Sequence, residues 1–157
     1  MKIGILTSSR ADFGYYIPLL KALGKDTFFH FEIIAFGTHL SKFHGYTLNE
    51  INNNGFCVKF QVPSLLVSDD PESISTSYAL TALKFASFWK ENQHAFDLVF
   101  CLGDRFEMAA AVMAGVPFNI RFVHFYGGET TLGAIDNIYR HAITLASRLC
   151  FTSTSLY

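Results

Sequence analysis

The stretch His124 to His141, HFYGGETTLGAIDNIYRH, gathers the residue types that chemistry needs. Gly127 and Gly128 permit a tight turn and a close approach of backbone to a ligand, and Gly133 allows another. Glu129 adds a carboxylate. In the helical pattern that follows, Asp136 and Arg140 are four apart, as are Asn137 and His141, which sets these four on a polar flank opposite Ile138, Ala142 and Ala146. Such a flank is either a solvated helix face with one ion pair, worth about 0.3–0.5 kcal/mol when exposed, or the wall of a cleft shared with Glu129. The local pattern leaves both open.

Two more clusters have this character. Ser8-Ser9-Arg10-Ala11-Asp12-Phe13-Gly14 combines small residues, an arginine and a helix start, a set able to hold an anion through backbone N–H groups, the helix dipole and a guanidinium. A helix capped by Ser9 or Asp12, with Arg10 in solvent, explains the segment equally well. In Gly103-Asp104-Arg105-Phe106-Glu107 the aspartate either caps the next helix or serves as a partly desolvated base, since burial raises a carboxyl pKa. No GxGxxG, Walker or GxSxG pattern occurs, so an NAD or ATP site and Ser-His-Asp hydrolysis are poorly supported. His30, His39, His44 and His94 lack paired metal-ligand spacing; we expect neither metal nor cofactor.

The elements that must position these clusters alternate along the chain. Short apolar runs at 2–7, 31–36, 56–62, 97–102, 120–125 and 149–152 read as six buried strands. Helical patterns lie between them at 13–23, 48–54, about 70–91, 105–114 and 135–146. Tyr16, Leu19, Leu20 and Leu23 share the face of the first, and Ile74, Tyr78, Phe85 and Trp89 form the stripe of the third, which Asp70-Pro71 opens. Alternating strands and helices joined by crossovers imply an α/β domain, a parallel sheet covered on both faces. In such sheets ligands bind beyond the carboxyl ends of the strands, where all three polar clusters fall.

Composition narrows the class. A chain of 157 residues holds one core. Half of it is hydrophobic and 17 residues are Phe, yet no apolar run approaches the ~20 residues of a membrane span. The start, MKIGILTSS, lacks a secretory signal, so a soluble, cytoplasmic protein without membrane contact is expected. A formal net charge of -1 with no basic stripe disfavours nucleic acid. Cys57, Cys101 and Cys150 are unpaired in spacing and flanked by apolar residues, which reads as buried free thiols. Ser153 or Thr154 in the final TSTSLY can cap a helix that does not follow, so truncation before a last helix and strand is expected, with bare apolar surface on the sixth strand.

Three blocks in order carry a resemblance: 7–14 (TSSRADFG), 102–107 (LGDRFE), and GGE at 127–129 with GAIDN at 133–137 and RHAIT at 140–144. Together they resemble the hydrolysing UDP-N-acetylglucosamine 2-epimerases of the sialic-acid type, with relatives acting on bacillosamine-type nucleotide sugars for legionaminic acid. The resemblance runs from the first strand to the last residue. It implies a Rossmann-like three-layer domain forming the N-terminal half of a GT-B-like fold, with a C-terminal nucleotide-binding domain absent from this chain and supplied in cis or in trans. It also implies a UDP-sugar substrate, a homodimer, and elimination of UDP followed by hydration to an N-acetylmannosamine-type sugar. On that resemblance Asp104 and Asp136 match acidic active-site positions, Arg10 matches the diphosphate loop, and Arg105, Gly127, Gly128, Asn137, Arg140 and His141 fall among substrate-binding motif positions. The chain departs from the pattern at Tyr126, often acidic in the family, which leaves Glu129 as the nearest carboxylate. Alone, the domain is expected to be inactive. A non-catalytic sugar-nucleotide-binding or assembly module is the competing expectation.

Overall fold

Strand β1 (Lys2–Thr7) sits at the centre of the structure, a computed structural model that describes residues 1–155. Its side chains alternate between two cores, as a pleated strand buried on both faces requires. Ile3 and Ile5 point to the side covered by helices α1 (Arg10–Leu23) and α2 (Leu48–Asn53), with Phe13, Tyr16, Leu20, Leu48 and Ile51. Leu6 points to the other side, covered by α3 (Pro71–Asn92), α4 (Phe106–Gly115) and α5 (Asp136–Ala146), where Phe85, Trp89, Met108, Val112 and Ile143 meet.

Around β1 the strands β2 (His30–Phe36), β3 (Val58–Val62), β4 (Leu98–Leu102), β5 (Phe122–Phe125) and β6 (Ser147–Phe151) form one parallel sheet in the order β3-β2-β1-β4-β5-β6. The register places Ile5 between Ile33 and Phe100. Strand order reverses between β1 and β4, so their carboxyl ends open a crevice at the switch point, the general ligand position in such sheets. The parallel, double-faced α/β architecture expected from alternation is present, with all six strands and all five helices.

Several local readings differ. Helix α1 begins at Arg10 rather than Phe13, because Ser9 and Asp12 form a capping box that recruits the preceding residues. Strand β6 begins at Ser147, directly after α5 without an intervening loop. On α5, Ile138 does not face the core; it is 69% exposed, and Ile143 with the flanking Tyr139 and Ala146 makes the seam against α4. Of the thiols, only Cys101 on central β4 is buried, and burial pushes its pKa up. Cys57 and Cys150 are exposed at the two edges of the sheet: Cys57, just before β3, lies between Phe56 and Val58, which pack against the core, and Cys150 lies on β6 between half-exposed Leu149 and Phe151. Leu149 and Phe151 on β6 are each 53% exposed, the bare edge expected there. Among the described residues no helix is long and apolar enough to cross a membrane.

Candidate active site

Three loops meet over the crevice. The loop after β4 turns at Gly103 and presents Asp104 and Arg105. Of the two roles open to Asp104, capping is excluded: the N-cap of α4 is Arg105, and no side chain caps that end. Asp104 instead forms an ion pair with Nη2 of Arg140 from α5, while Nη1 of Arg140 donates to Thr131 Oγ1 at 3.4 Å. The Arg140 side chain is 11% exposed and its Nε has no partner, so it reaches the cleft from within the protein.

Arg105 also faces the cleft, half-exposed, and its Nε donates to Oε1 of Glu107 at 2.6 Å. Glu107 is wholly buried with Oε2 unpartnered, and burial, offset only in part by Arg105, raises its pKa. An acid in the first turn of a helix otherwise apolar all round was the sequence signal for this support.

The loop after β5 is fixed by a buried relay. His124 Nε2–H donates to the Gly103 carbonyl at 2.7 Å, so Nδ1 accepts from the Thr144 hydroxyl at 3.1 Å, and Thr144 Oγ1 accepts in turn from the Gly128 N–H at 3.1 Å. One neutral imidazole thereby ties the β4 loop, the β5 loop and α5 together. Desolvation lowers the pKa of His124, and burial does the same at His39, held between Thr7 and Thr47 hydroxyls at 2.9 and 2.8 Å. In the unfolded chain a histidine titrates at about 6.5. Below that pH the unfolded state takes up protons first, so stability is full above it and declines as pH falls toward the folded values. Thermal unfolding from pH 7.5 to 5 is expected to show a falling midpoint, with a shallower fall in His124→Gln.

The first loop spends its polar atoms on itself. The Asp12 carboxylate accepts from Ser8 N at 2.7 Å and Ser9 N at 2.8 Å, and also from both hydroxyls. Ser9 and Asp12 still line the cleft, but Arg10 points to solvent, 72% exposed and 3.8 Å from Glu50. The Ser8 and Ser9 N–H groups of the anion cradle read from this segment are thus taken by its own capping carboxylate.

Ser9, Asp12, Tyr15, Asp104, Arg105, Tyr126, Glu129 and Arg140 line a cleft of about 300 Å³. Glu129 accepts from Ser153 N at 2.8 Å; that bonding holds its carboxylate below the ordinary range, with a smaller contribution from Arg140. Of the other sequence candidates, Asp136 stands at the start of α5 outside the lining, its charge reaching Arg105. Asn137 exchanges hydrogen bonds with the Thr131 backbone at 2.9 and 2.6 Å, and His141 is exposed. Gly127 is packed beneath the loop and Gly128 sits in the His124 relay. Sequence reasoning did not single out Glu107, Thr144 or Tyr15. Among the described residues no group of three or more His, Cys, Asp and Glu side chains is placed to hold a metal.

A cleft of carboxylates and arginines over the switch point of a 3-2-1-4-5-6 parallel sheet defines a doubly wound α/β domain with a polar cleft at the usual ligand position of such sheets. The chain belongs to the UDP-N-acetylglucosamine 2-epimerase family, whose model matches residues 21–157. It is 36% identical over 156 residues to a hydrolysing GDP/UDP-N,N'-diacetylbacillosamine 2-epimerase of Campylobacter jejuni, covering 99% of this chain and 40% of that protein. With a hydrolysing UDP-N,N'-diacetylbacillosamine 2-epimerase of Legionella pneumophila the identity is 34%, covering 98% and 40%. The chain therefore spans about 40% of the length of the curated relatives it matches. Among solved structures, UDP-GlcNAc 2-epimerase from Neisseria meningitidis bound to UDP-GlcNAc superposes with a TM-score of 0.79 at 14% identity, covering 97% of this chain and 40% of that one. The Rossmann-like fold of the first half of a GT-B-like enzyme, expected from the resemblance, agrees with this likeness.

Proposed function

We propose that this chain is the N-terminal domain of a hydrolysing UDP-sugar 2-epimerase, converting UDP-N-acetylglucosamine or a close UDP-sugar relative to the N-acetylmannosamine-type sugar and UDP. The observation that carries the reading is the meeting of Asp104, Glu129, Arg105 and Arg140 in one cleft at the switch point. A second, C-terminal domain closes over that cleft, in a cytoplasmic homodimer.

The reaction follows from what such a set can do. A base removes the C2 proton; the C2–H electron pair forms the C1–C2 double bond, and the C1–O bond breaks with its pair leaving on the diphosphate. Water then adds its oxygen to C1 and a solvent proton returns to C2 from the opposite face. The C2 proton is weakly acidic, so positive charge at C1 and negative charge on the leaving group must both be stabilised. Asp104 and Glu129 supply negative charge and proton transfer beside C1 and C2. Arg105, held by Glu107, and Arg10, swung in from solvent, balance the diphosphate. Asp136 tunes Arg105 by its charge, and Arg140 holds the Asp104 carboxylate in place through their ion pair. Gly128 lets the loop approach the sugar and Gly127 seats that loop against His124 and Thr144; Asn137 and His141 support the α5 end of the site.

A second reading, a non-catalytic nucleotide-sugar-binding or assembly module, is favoured by Tyr126 standing where an acid is common and by the engagement of Asp104 with Arg140. UDP release from UDP-N-acetylglucosamine by the full gene product separates the two: release supports the enzyme, and binding without release supports the module.

A further inference from the structure

The cleft has one apolar wall that the reaction leaves unused. Tyr15 on α1 and Tyr126 after β5 both line it, with ring centroids 5.2 Å apart and planes at 59°. Tyr15 is 63% exposed, so its ring is presented to the cleft rather than buried in the core. Tyr126 has φ +61°, a left-handed conformation that a tyrosine adopts at a cost of about 1–2 kcal/mol. Its backbone N–H is bound to Phe151 O at 2.8 Å, which holds the residue in place. A bulky side chain kept in this conformation at a cleft is the form in which backbone strain accompanies function.

Two rings meeting at 59° make a corner. A flat base stacks on one ring and gains little from the other, whereas a compact apolar group such as a methyl touches both. Asp104 and Glu129, placed above beside C1 and C2, border the same cleft, so the sugar is the part of the ligand that meets this wall, with the diphosphate toward Arg105. We propose that Tyr15 and Tyr126 form the acyl pocket of the site, contacting the acyl methyl of an N-acylated amino sugar and selecting it over a hexose without that group. This rests on the UDP-sugar reading above and names the feature of the sugar that the N-terminal domain reads.

The test compares dissociation constants for UDP-N-acetylglucosamine, UDP-glucose and UDP by calorimetry, on the full gene product carrying Asp104→Asn to hold turnover off. Burying one methyl corresponds to about a fourfold preference for the acylated sugar. Tyr126→Asn, which suits the left-handed backbone and so keeps the melting temperature, is expected to erase that preference and leave UDP affinity unchanged. Tyr15→Ser should weaken the preference, and Tyr126→Phe should retain it. Preference surviving in both Tyr126→Asn and Tyr15→Ser, or lost equally in Tyr126→Phe, overturns the acyl pocket while UDP binding leaves the broader reading intact. Absence of any UDP affinity before these substitutions overturns both.

Discussion

Asp104→Asn is expected to lower the rate of UDP release by the full gene product about a thousandfold, within the range that a positioned proton-transfer group contributes. Asn has the shape of Asp, so its side-chain oxygen still accepts from Arg140 and the loop after β4 keeps its path. What disappears is the charge. An asparagine neither takes the C2 proton nor balances positive charge at C1, so kcat falls while KM changes little. The melting temperature should move by only a few degrees, because the pair is part-exposed at the cleft surface. A loss below tenfold would assign the chemistry to another carboxylate, with Glu129 next to be replaced.

The largest structural effect is expected at Gly127. A Cβ there would lie 2.1 Å from Cys150 Sγ, 2.7 Å from His124 Nδ1 and 3.1 Å from Thr144 Oγ1. Two of these atoms belong to the relay that joins the β4 loop, the β5 loop and α5. Gly127→Ala must therefore displace β6 or break the His124–Thr144 bond, and overpacking of this kind costs about 3 kcal/mol. Thermal or denaturant unfolding reads the loss directly. Cys150→Ala in the same chain removes the nearest atom and is expected to restore about half of it. No restoration would mean that the His124 contact alone carries the strain.

How much of this was legible beforehand varies by kind of residue. Strand and helix alternation was plain because parallel strands buried on two faces are continuous apolar runs, and Lys2–Thr7 or Leu98–Leu102 fit nothing else. The cleft loops followed from topology, since Asp104 and Glu129 each come just beyond the carboxyl end of a strand. Partners across the chain were not legible. Arg140 was paired with Asp136 by helical spacing, yet it reaches Asp104, 36 residues away, because the buried seam of α5 runs through Ile143 rather than Ile138. Which way α5 rolls depends on α4, and that depends on packing across the sheet. At the start of α1 the local rule could not foresee that Asp12 takes the Ser8 and Ser9 N–H groups, or that Arg10 would lie in solvent near Glu50. Edge position misled the reading of Cys57 and Cys150, since apolar neighbours signal burial only where a strand has cover on both sides.

The central claim concerns what happens at C2, and proton NMR of the sugar formed from UDP-N-acetylglucosamine by the full gene product in deuterium oxide reads it most directly. Elimination and hydration predict an N-acetylmannosamine-type sugar with deuterium in place of the C2 proton, released together with UDP. N-acetylglucosamine retaining its C2 proton would show cleavage of the C1–O bond without elimination, and would contradict the role given to the carboxylates of the cleft.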